Sequence, residues 1–194
     1  QMEDASARMA AGMPPRARYW LTVSLLSSAR RSIEWGTGCG LNVFHAAIQA
    51  PSVEWVGVDI SAGQIAANRE QATRIGQSNA IFMTPDEAGQ ADVVGVLDVL
   101  EHTAYPQELL DAAERCVVPG GIVSVVVPNG PWAVQAPKHQ PIGTGVGDHI
   151  AVQSIGTLLQ LLSERGTVID TQIYSGSFPV EGNSSACISY RPRQ

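Results

Sequence analysis

The sequence predicts a doubly wound α/β fold, in which helices cover both faces of a mostly parallel sheet. Short runs of β-branched residues alternate with runs of helical periodicity, which is the pattern of such folds. The run Ile122–Val127 is almost continuously apolar, as expected for a central strand covered on both faces. A glycine-rich turn, Glu34–Gly40, follows the first strand run. We expect about seven strands, the last of them antiparallel.

The elements are predicted in order from these patterns. Strands are expected over 32–35, 53–58, 80–83, 93–97, 122–127, 167–174 and 184–190. Helices are expected over 17–29, over 41–49, from 61 to about 75, over 109–117 up to the Pro119-Gly120-Gly121 turn, and over 154–166. Ser61 with Gln64 three residues later predicts a capping box. The last two strands are expected to be neighbours at one side of the sheet.

A length of 194 residues fits a single domain over 1–194. Residues 1–31 are expected to form an N-terminal helical cap. Residues 128–149 contain too many prolines and glycines for a helix or strand. The segment therefore predicts a long irregular loop, and such loops within a domain are often functional. The first residue is Gln1 and not Met, so we expect the chain to be part of a longer polypeptide.

Charge and composition exclude several classes of protein. The net charge is −6, and because residues 1–31 carry +3, the remainder carries −9. A nucleic-acid binder normally has a broad basic face, so the acidic body of this chain argues against a nucleic-acid partner. No apolar stretch is long enough for a membrane span, and no leader pattern is visible, so a cytoplasmic location is expected. The three cysteines are far apart and predict neither a disulfide framework nor a metal site.

The glycine-rich turn and the acid after the second strand predict a binding site for an adenosine-containing cofactor. Gly36, Gly38 and Gly40 stand at alternate positions, where the lack of a Cβ lets the backbone turn sharply and approach a ligand. Asp59 at the tip of the next strand can accept hydrogen bonds from two ribose hydroxyls. Nicotinamide and S-adenosylmethionine enzymes both use this device. The nicotinamide fingerprint is G-x-G-x-x-G, whereas this chain has G-x-G-x-G.

Three further motifs follow in order: L-D-V-L-E-H at 97–102, P-G-G at 119–121 and V-V-V-P-N at 125–129. As a set with the glycine turn, they resemble the class I S-adenosylmethionine-dependent methyltransferases. The resemblance is to the subgroup of ubiquinone-biosynthesis O-methyltransferases and many sugar and natural-product methyltransferases. It covers about residues 30–165 and implies a Rossmann-like sheet and S-adenosylmethionine as the cofactor, with S-adenosylhomocysteine as its product.

The resemblance implies roles for the first turn of the site. The backbone of Gly36, Gly38 and Gly40 would pass along the methionine portion of the cofactor. Glu34 would orient that turn.

The resemblance also implies roles for residues after the second, third and fourth strands. Asp59 would bind the ribose hydroxyls, and Ile60 would pack on the adenine. Asp86 would meet the adenine amino group. Leu97 and Asp98 would lie beside the methionine amine and the sulfonium.

The acceptor is expected to be a small molecule, with a hydroxyl as the methylated group and the 128–149 loop as its lid. A hydroxyl acceptor gains from a nearby base, and histidine is suited to that role near neutral pH. His149 at the end of the loop is the favoured base or orienting residue, and His102 of the L-E-H motif is the second candidate. His45 is expected to be a packed or exposed residue of its helix and not catalytic. His139 shows no partner as a base, but with Trp132 it could stack on a ring or sugar of the acceptor or simply anchor the loop.

Three other functions compete with this interpretation. A protein or nucleic-acid methyltransferase is one, although the D/N-P-P-Y/F signature of base amino-group methylation is absent and 97–100 stands in its place. A non-catalytic binding module of a larger assembly or oligomer is another, against which the intact glycines and Asp59 argue. A nicotinamide oxidoreductase is the third, and the glycine spacing disfavours it.

Overall fold

The computed structural model describes residues 15–129, 154–175 and 184–193. Its helices are α1 (Pro15–Leu26), α2 (Leu41–Gln49), α3 (Ala62–Ile75), α4 (Pro106–Arg115) and α5 (Ile155–Arg165). Its strands are β1 (Arg31–Trp35), β2 (Glu54–Val58), β3 (Ala80–Met83), β4 (Ala91–Leu97), β5 (Val117–Asn129), β6 (Gly166–Ser175) and β7 (Ser184–Pro192). A 3₁₀ turn spans Leu100–His102. Among the described helices, none has the length and apolar character needed to cross a bilayer.

The strands form one sheet in the order β3-β2-β1-β4-β5-β7-β6. The strands β3, β2, β1, β4 and β5 run parallel, while β7 is antiparallel to both of its neighbours. The predicted fold class, with its antiparallel last strand, is therefore confirmed. Chain order reverses between β1 and β4, and ligands of open α/β sheets bind beyond the carboxyl ends of the strands at such a point.

The core consists of two apolar clusters, one on each face of the sheet. Under α1, α2 and α3 the cluster includes Trp20 and Trp55, whose rings meet edge to face with centroids 4.7 Å apart. Under α4 and α5 the other cluster includes Leu110, Leu158 and Leu162, all fully buried. Alternate residues of the central strands contribute to opposite clusters, which explains the continuous apolar runs in the sequence.

The helix before the P-G-G turn ends earlier than the sequence predicts. It was expected to continue through residue 117, but α4 ends at Arg115 and β5 begins at Val117. The reason is pairing, since Val117 lies opposite Ala91 at the start of β4 and the register then shifts over the P-G-G segment. Residue 121 is a glycine because a Cβ at this position would come within 2.7 Å of the Asp92 carbonyl oxygen, which is too close for any other residue. The P-G-G turn is therefore an irregularity inside a strand and not a helix stop.

Only one of the two hydrogen bonds of the predicted capping box forms at the start of α3. The Ser61 hydroxyl accepts the Gln64 backbone N–H at 3.3 Å, as predicted. The Ser61 N–H, however, donates to Asp59 Oδ1, and the Gln64 side chain donates to Asn68 instead of returning to Ser61. Ile75, the last residue of this helix, is 42% exposed. At the start of α5, the Ser154 hydroxyl accepts the backbone N–H of Thr157 at 3.1 Å.

A buried polar chain fixes α1 to the far side of the sheet. The Tyr19 hydroxyl donates to Asp170 Oδ2 on β6 at 2.8 Å and lies 3.1 Å from the Ser189 hydroxyl on β7. Ser189 in turn lies 2.8 Å from the Ser124 hydroxyl on β5. Burial raises the pKa of the Tyr19 hydroxyl well above its usual range, so it stays protonated as the donor. One hydroxyl thereby connects α1 to two strands that are distant in sequence.

The expected irregular loop begins later than predicted. Residues 128 and 129 belong to β5 and pair with Ser185 and Ser184 of β7. The rest of the predicted 128–149 loop, including His139 and His149, lies outside the described residues.

Candidate functional site

The glycine turn after β1 is fixed to the end of β2. The backbone N–H groups of Gly36 and Thr37 both donate to the Val58 carbonyl, at 2.7 and 2.9 Å. Gly36 and Gly40 have positive φ, and a Cβ at either would come within 2.6 Å of a side-chain carbon, of Val99 or of Phe82 respectively. A larger residue at Gly36 would therefore displace Val99, and one at Gly40 would displace Phe82 of the core.

Glu34 lies beneath this turn and is 2% exposed. Its two carboxyl oxygens accept hydrogen bonds from the Thr37 hydroxyl at 2.8 Å and from the Asn42 amide at 2.5 Å. Burial raises the pKa of Glu34 to about 7, and the nearby carboxylates of Asp98 and Asp59 add to that rise, while the two donors oppose it. Glu34 thus ties the turn to the first residues of α2.

Asp59 stands where β2 ends, beside the same turn. Its Oδ2 accepts the Gly38 N–H at 2.9 Å, and its Oδ1 accepts the Ser61 N–H at 2.9 Å. A carboxylate oxygen has two acceptor positions, so each oxygen keeps one for a further donor. Ile60, the next residue, has 88% of its surface exposed, which is unusual for a large apolar side chain.

Asn68 of α3, for which the sequence motifs give no role, contacts the turn and is itself held by Gln64. The Asn68 amide donates to the Gly38 carbonyl at 2.8 Å, and the Gln64 amide donates to Asn68 Oδ1 at 3.1 Å. Asn68 is 3% exposed. A polar residue on the otherwise apolar side of a helix was the signal available in the sequence, at three residues from Ile65.

The end of β4 supplies the opposite wall of the site. Asp98 has a φ of +52°, a left-handed conformation that non-glycine residues seldom adopt, and its N–H donates to the Val126 carbonyl. Such strain is often found at functional sites. The 3₁₀ turn that follows presents His102, whose Nε2 lies 3.9 Å from the buried Glu101 carboxylate. Leu97 itself is buried in the core.

These walls enclose a cleft of about 570 Å³ at the carboxyl ends of the parallel strands. Such a volume falls within the range of about 300–1,000 Å³ that is usual for small-molecule sites. The residues that line the cleft are Trp35, Gly36, Asp59, Ile60, Pro85, Asp98, Val99, His102, Thr103, Ala104, Tyr105 and Leu109.

The cleft brings together some of the residues that the sequence singled out and leaves others apart. Asp86 is exposed and accepts a hydrogen bond from the Thr84 hydroxyl, while its neighbour Pro85 lines the cleft. His45 is buried on α2, away from the lining. A second cavity of about 500 Å³ lies along the outer edge of β3 and contains none of the predicted site residues.

Comparison with known proteins identifies the class of protein to which this fold and this cleft belong. The family model described as a methyltransferase domain matches residues 8–172. The ubiquinone biosynthesis O-methyltransferase of Pseudomonas paraeruginosa is 32% identical over 92 residues, which are 44% of this chain and 40% of that protein. An uncharacterized Synechococcus protein is 30% identical over 104 residues, 50% of this chain and 25% of that protein. The chain thus spans well under half the length of these curated relatives.

Solved structures share the fold at low sequence identity. The N-terminal domain of EvdMO1, crystallised with S-adenosylhomocysteine and D-fucose, has a TM-score of 0.63 at 15% identity, covering 92% of this chain and 82% of that one. The MccD protein has a TM-score of 0.69 at 11% identity, covering 94% and 100%. Coclaurine N-methyltransferase, bound to N-methylheliamine and S-adenosylhomocysteine, has a TM-score of 0.67 at 12% identity, covering 90% and 72%.

The chain belongs to the methyltransferase domain family, because the family model matches most of its length. Within that family it is a class I, Rossmann-like domain. S-adenosylmethionine is the cofactor of this family.

Proposed function

We propose that this protein transfers the methyl group of S-adenosylmethionine to a hydroxyl of a small-molecule acceptor. The observation that carries the proposal is the composition of the cleft. One wall holds Gly36, Asp59 and Ile60, which suit an adenosine-bearing ligand, and the other presents His102 and Tyr105 to the space beside it.

The residues of the first wall fit S-adenosylmethionine. Asp59 keeps an acceptor position on each oxygen for the two ribose hydroxyls. The exposed side chain of Ile60 would be covered by the adenine ring. Asp98 would attract the positive charges of the methionine amine and the sulfonium. Leu97 would contribute only its backbone, and Asp86 would have to reach the adenine amino group from the far side of Pro85.

Most of the rate enhancement would come from positioning. S-adenosylmethionine would supply an activated methyl group on a sulfonium, and an acceptor oxygen would attack that carbon in line while the S–C bond breaks and S-adenosylhomocysteine leaves. The cleft walls would hold the acceptor oxygen opposite that methyl group and exclude water, effects that can be large in such reactions. As the new C–O bond forms, the hydroxyl proton has to leave.

A histidine would take that proton. We propose His149, favoured by the sequence, and His102, which lines the cleft, as the two candidate bases or orienting residues. A positioned general base contributes about 10²–10⁴-fold to the rate.

Two observations support a small-molecule hydroxyl acceptor. Relatives named ubiquinone biosynthesis O-methyltransferases match 44% of the chain. The net charge of −6 also disfavours polyanionic acceptors such as nucleic acid.

The acceptor class can be tested directly with S-adenosylmethionine and matched panels of phenols, sugar hydroxyls, amines and an unstructured peptide. We expect S-adenosylhomocysteine to form with hydroxyl compounds, and mass spectrometry to find the methyl group on oxygen. Methylation of amines or peptide alone would replace the proposal with a different acceptor class.

The role of the histidines is tested by His102→Ala and His149→Ala, each serving as the control for the other. We expect one of the two to lower kcat by about 10²-fold or more with the affinity for S-adenosylmethionine unchanged, whereas the other keeps its turnover. Full turnover in both would exclude a histidine base.

A further inference from the structure

We propose that Asn68 is a positioning residue of the cofactor site, which holds the glycine turn in its binding conformation before the cofactor arrives. The inference rests on the proposed placement of S-adenosylmethionine along that turn. It concerns a residue of α3 to which neither the motifs nor the family match assigns a role.

Asn68 holds one of the two polar groups of the Gly38 backbone. The Asn68 amide Nδ2 donates to the Gly38 carbonyl at 2.8 Å. The Gly38 N–H donates to Asp59 Oδ2 at 2.9 Å. The middle glycine of the turn is therefore held from two elements at once, β2 and α3.

The orientation of the Asn68 amide is fixed by its neighbour on the helix. Gln64 Nε2 donates to Asn68 Oδ1 at 3.1 Å, so the NH₂ group of Asn68 faces the turn. Ser61 caps the Gln64 N–H and donates its own N–H to Asp59 Oδ1. The hydrogen bonds thus form a closed ring that passes through Asp59, Ser61, Gln64, Asn68 and Gly38.

Gly38 is the position where such support matters most. The other two glycines of the turn are required by close contacts with neighbouring side chains, but a Cβ on Gly38 would meet no described atom within 4 Å. Its φ of +51° and its open face suit a backbone that a ligand approaches. A glycine loses more conformational entropy on being fixed than other residues do. If the turn is already fixed before the cofactor binds, less of the binding free energy is lost in ordering it.

The test compares Asn68→Ala with Asn79→Ala by calorimetric titration with S-adenosylhomocysteine and by thermal unfolding. Asn79 is a matched control, because its amide also donates to backbone carbonyls, of Ala47 and Val53, but at the start of β3. Both variants should unfold at lower temperature. Only Asn68→Ala should raise the Kd, by about fivefold to tenfold, as expected for one lost hydrogen bond to an ordered turn.

Asn68→Asp provides a second readout that a merely structural role would not change. An ionised carboxylate has no hydrogen to donate to the Gly38 carbonyl, whereas a protonated one does. Its Kd, relative to that of the unchanged protein, should therefore improve as the pH is lowered. If Asn68→Ala does not fold, Gln64→Ala decides in its place, because it releases the amide to rotate and should raise the Kd.

Two outcomes separate this inference from the proposed function. If Asp59→Ala weakens binding but the Asn68 and Gln64 variants bind like the unchanged protein, Asn68 is not a positioning residue and the cofactor placement stands. If Asp59→Ala also binds like the unchanged protein, the cofactor placement itself is wrong.

Discussion

At the scale of single residues, Asp59 connects the glycine turn to the start of α3. Its carboxylate accepts two backbone N–H groups, so it shapes the site as well as offering acceptors to a ligand. The sequence predicts an acid at the tip of β2. It does not predict that the acid also organises the turn, because that contact joins residues 21 positions apart.

Replacing Asp59 with alanine should weaken S-adenosylmethionine binding by at least about tenfold, since hydrogen bonds to a charged group contribute about 1.5–3 kcal/mol. Calorimetry measures this directly. Asp92→Ala is the matched control, because Asp92 also accepts two backbone N–H groups, of Arg30 and Arg31, but at the opposite end of the sheet. Equal affinities in the two variants would contradict the assigned role of Asp59.

Glu34 should make stability depend on pH. Its pKa of about 7 in the folded protein lies above the ordinary value of 4.5, so the folded state binds more protons between these values. The free energy of unfolding should therefore fall as the pH rises from about 4.5 to 7, by about 3 kcal/mol in total.

Glu34→Gln should remove that contribution, because glutamine does not ionise. Urea unfolding of the two proteins at pH 5, 6, 7 and 8 provides the measurement, and the difference between their curves isolates Glu34. Parallel curves would show that Glu34 keeps an ordinary pKa.

At the scale of elements, the periodicity of the sequence was a sound guide where burial alone decides the structure. The bounds of β3 are those predicted, and the last two strands are neighbours as expected. The predictions that failed depend on strand pairing and on side-chain contacts, which the periodicity of apolar residues does not encode. The end of α4 is set by the pairing of Val117 with Ala91, and the half-formed capping box by the Asp59 carboxylate.

The attachment of α1 to the sheet depends on one hydroxyl. Tyr19→Phe removes the contacts with Asp170 and Ser189 while keeping the buried ring, so it should lower the free energy of unfolding by about 1–3 kcal/mol. Denaturation in urea gives that value. Tyr105→Phe, at a tyrosine 66% exposed, should change it by less than about 0.5 kcal/mol. Similar losses in the two variants would mean that the polar chain does not stabilise the fold.

At the scale of the whole molecule, the sequence predicts the fold class, which the sheet confirms, and one half of the proposed site. The turn and the acid of the cofactor side are local motifs, and they meet because parallel strands bring their carboxyl ends to one edge. The proposed acceptor side would depend on how the 3₁₀ turn and the predicted lid are arranged. No local spacing determines that arrangement, so the acceptor could be predicted only by class.

Cofactor binding should stabilise the entire fold by mass action. At a free concentration of 100 times its Kd, S-adenosylhomocysteine should add about 2.7 kcal/mol to the free energy of unfolding. For a chain of this size that corresponds to a rise in Tm of roughly 5–10 °C. NAD at the same concentration should leave the Tm unchanged, and a rise with NAD alone would favour the oxidoreductase alternative.

The position of β7 has a consequence for the order of folding. Residues 184–192 are made after β6, yet they lie between β5 and β6 and pair with both. A nascent chain that has emerged from the ribosome only as far as residue 175 therefore lacks β7, which among the described strands is the partner of β6 and the neighbour that covers the outer edge of β5. The five parallel strands can assemble during synthesis, but the far side of the sheet can close only when β7 inserts.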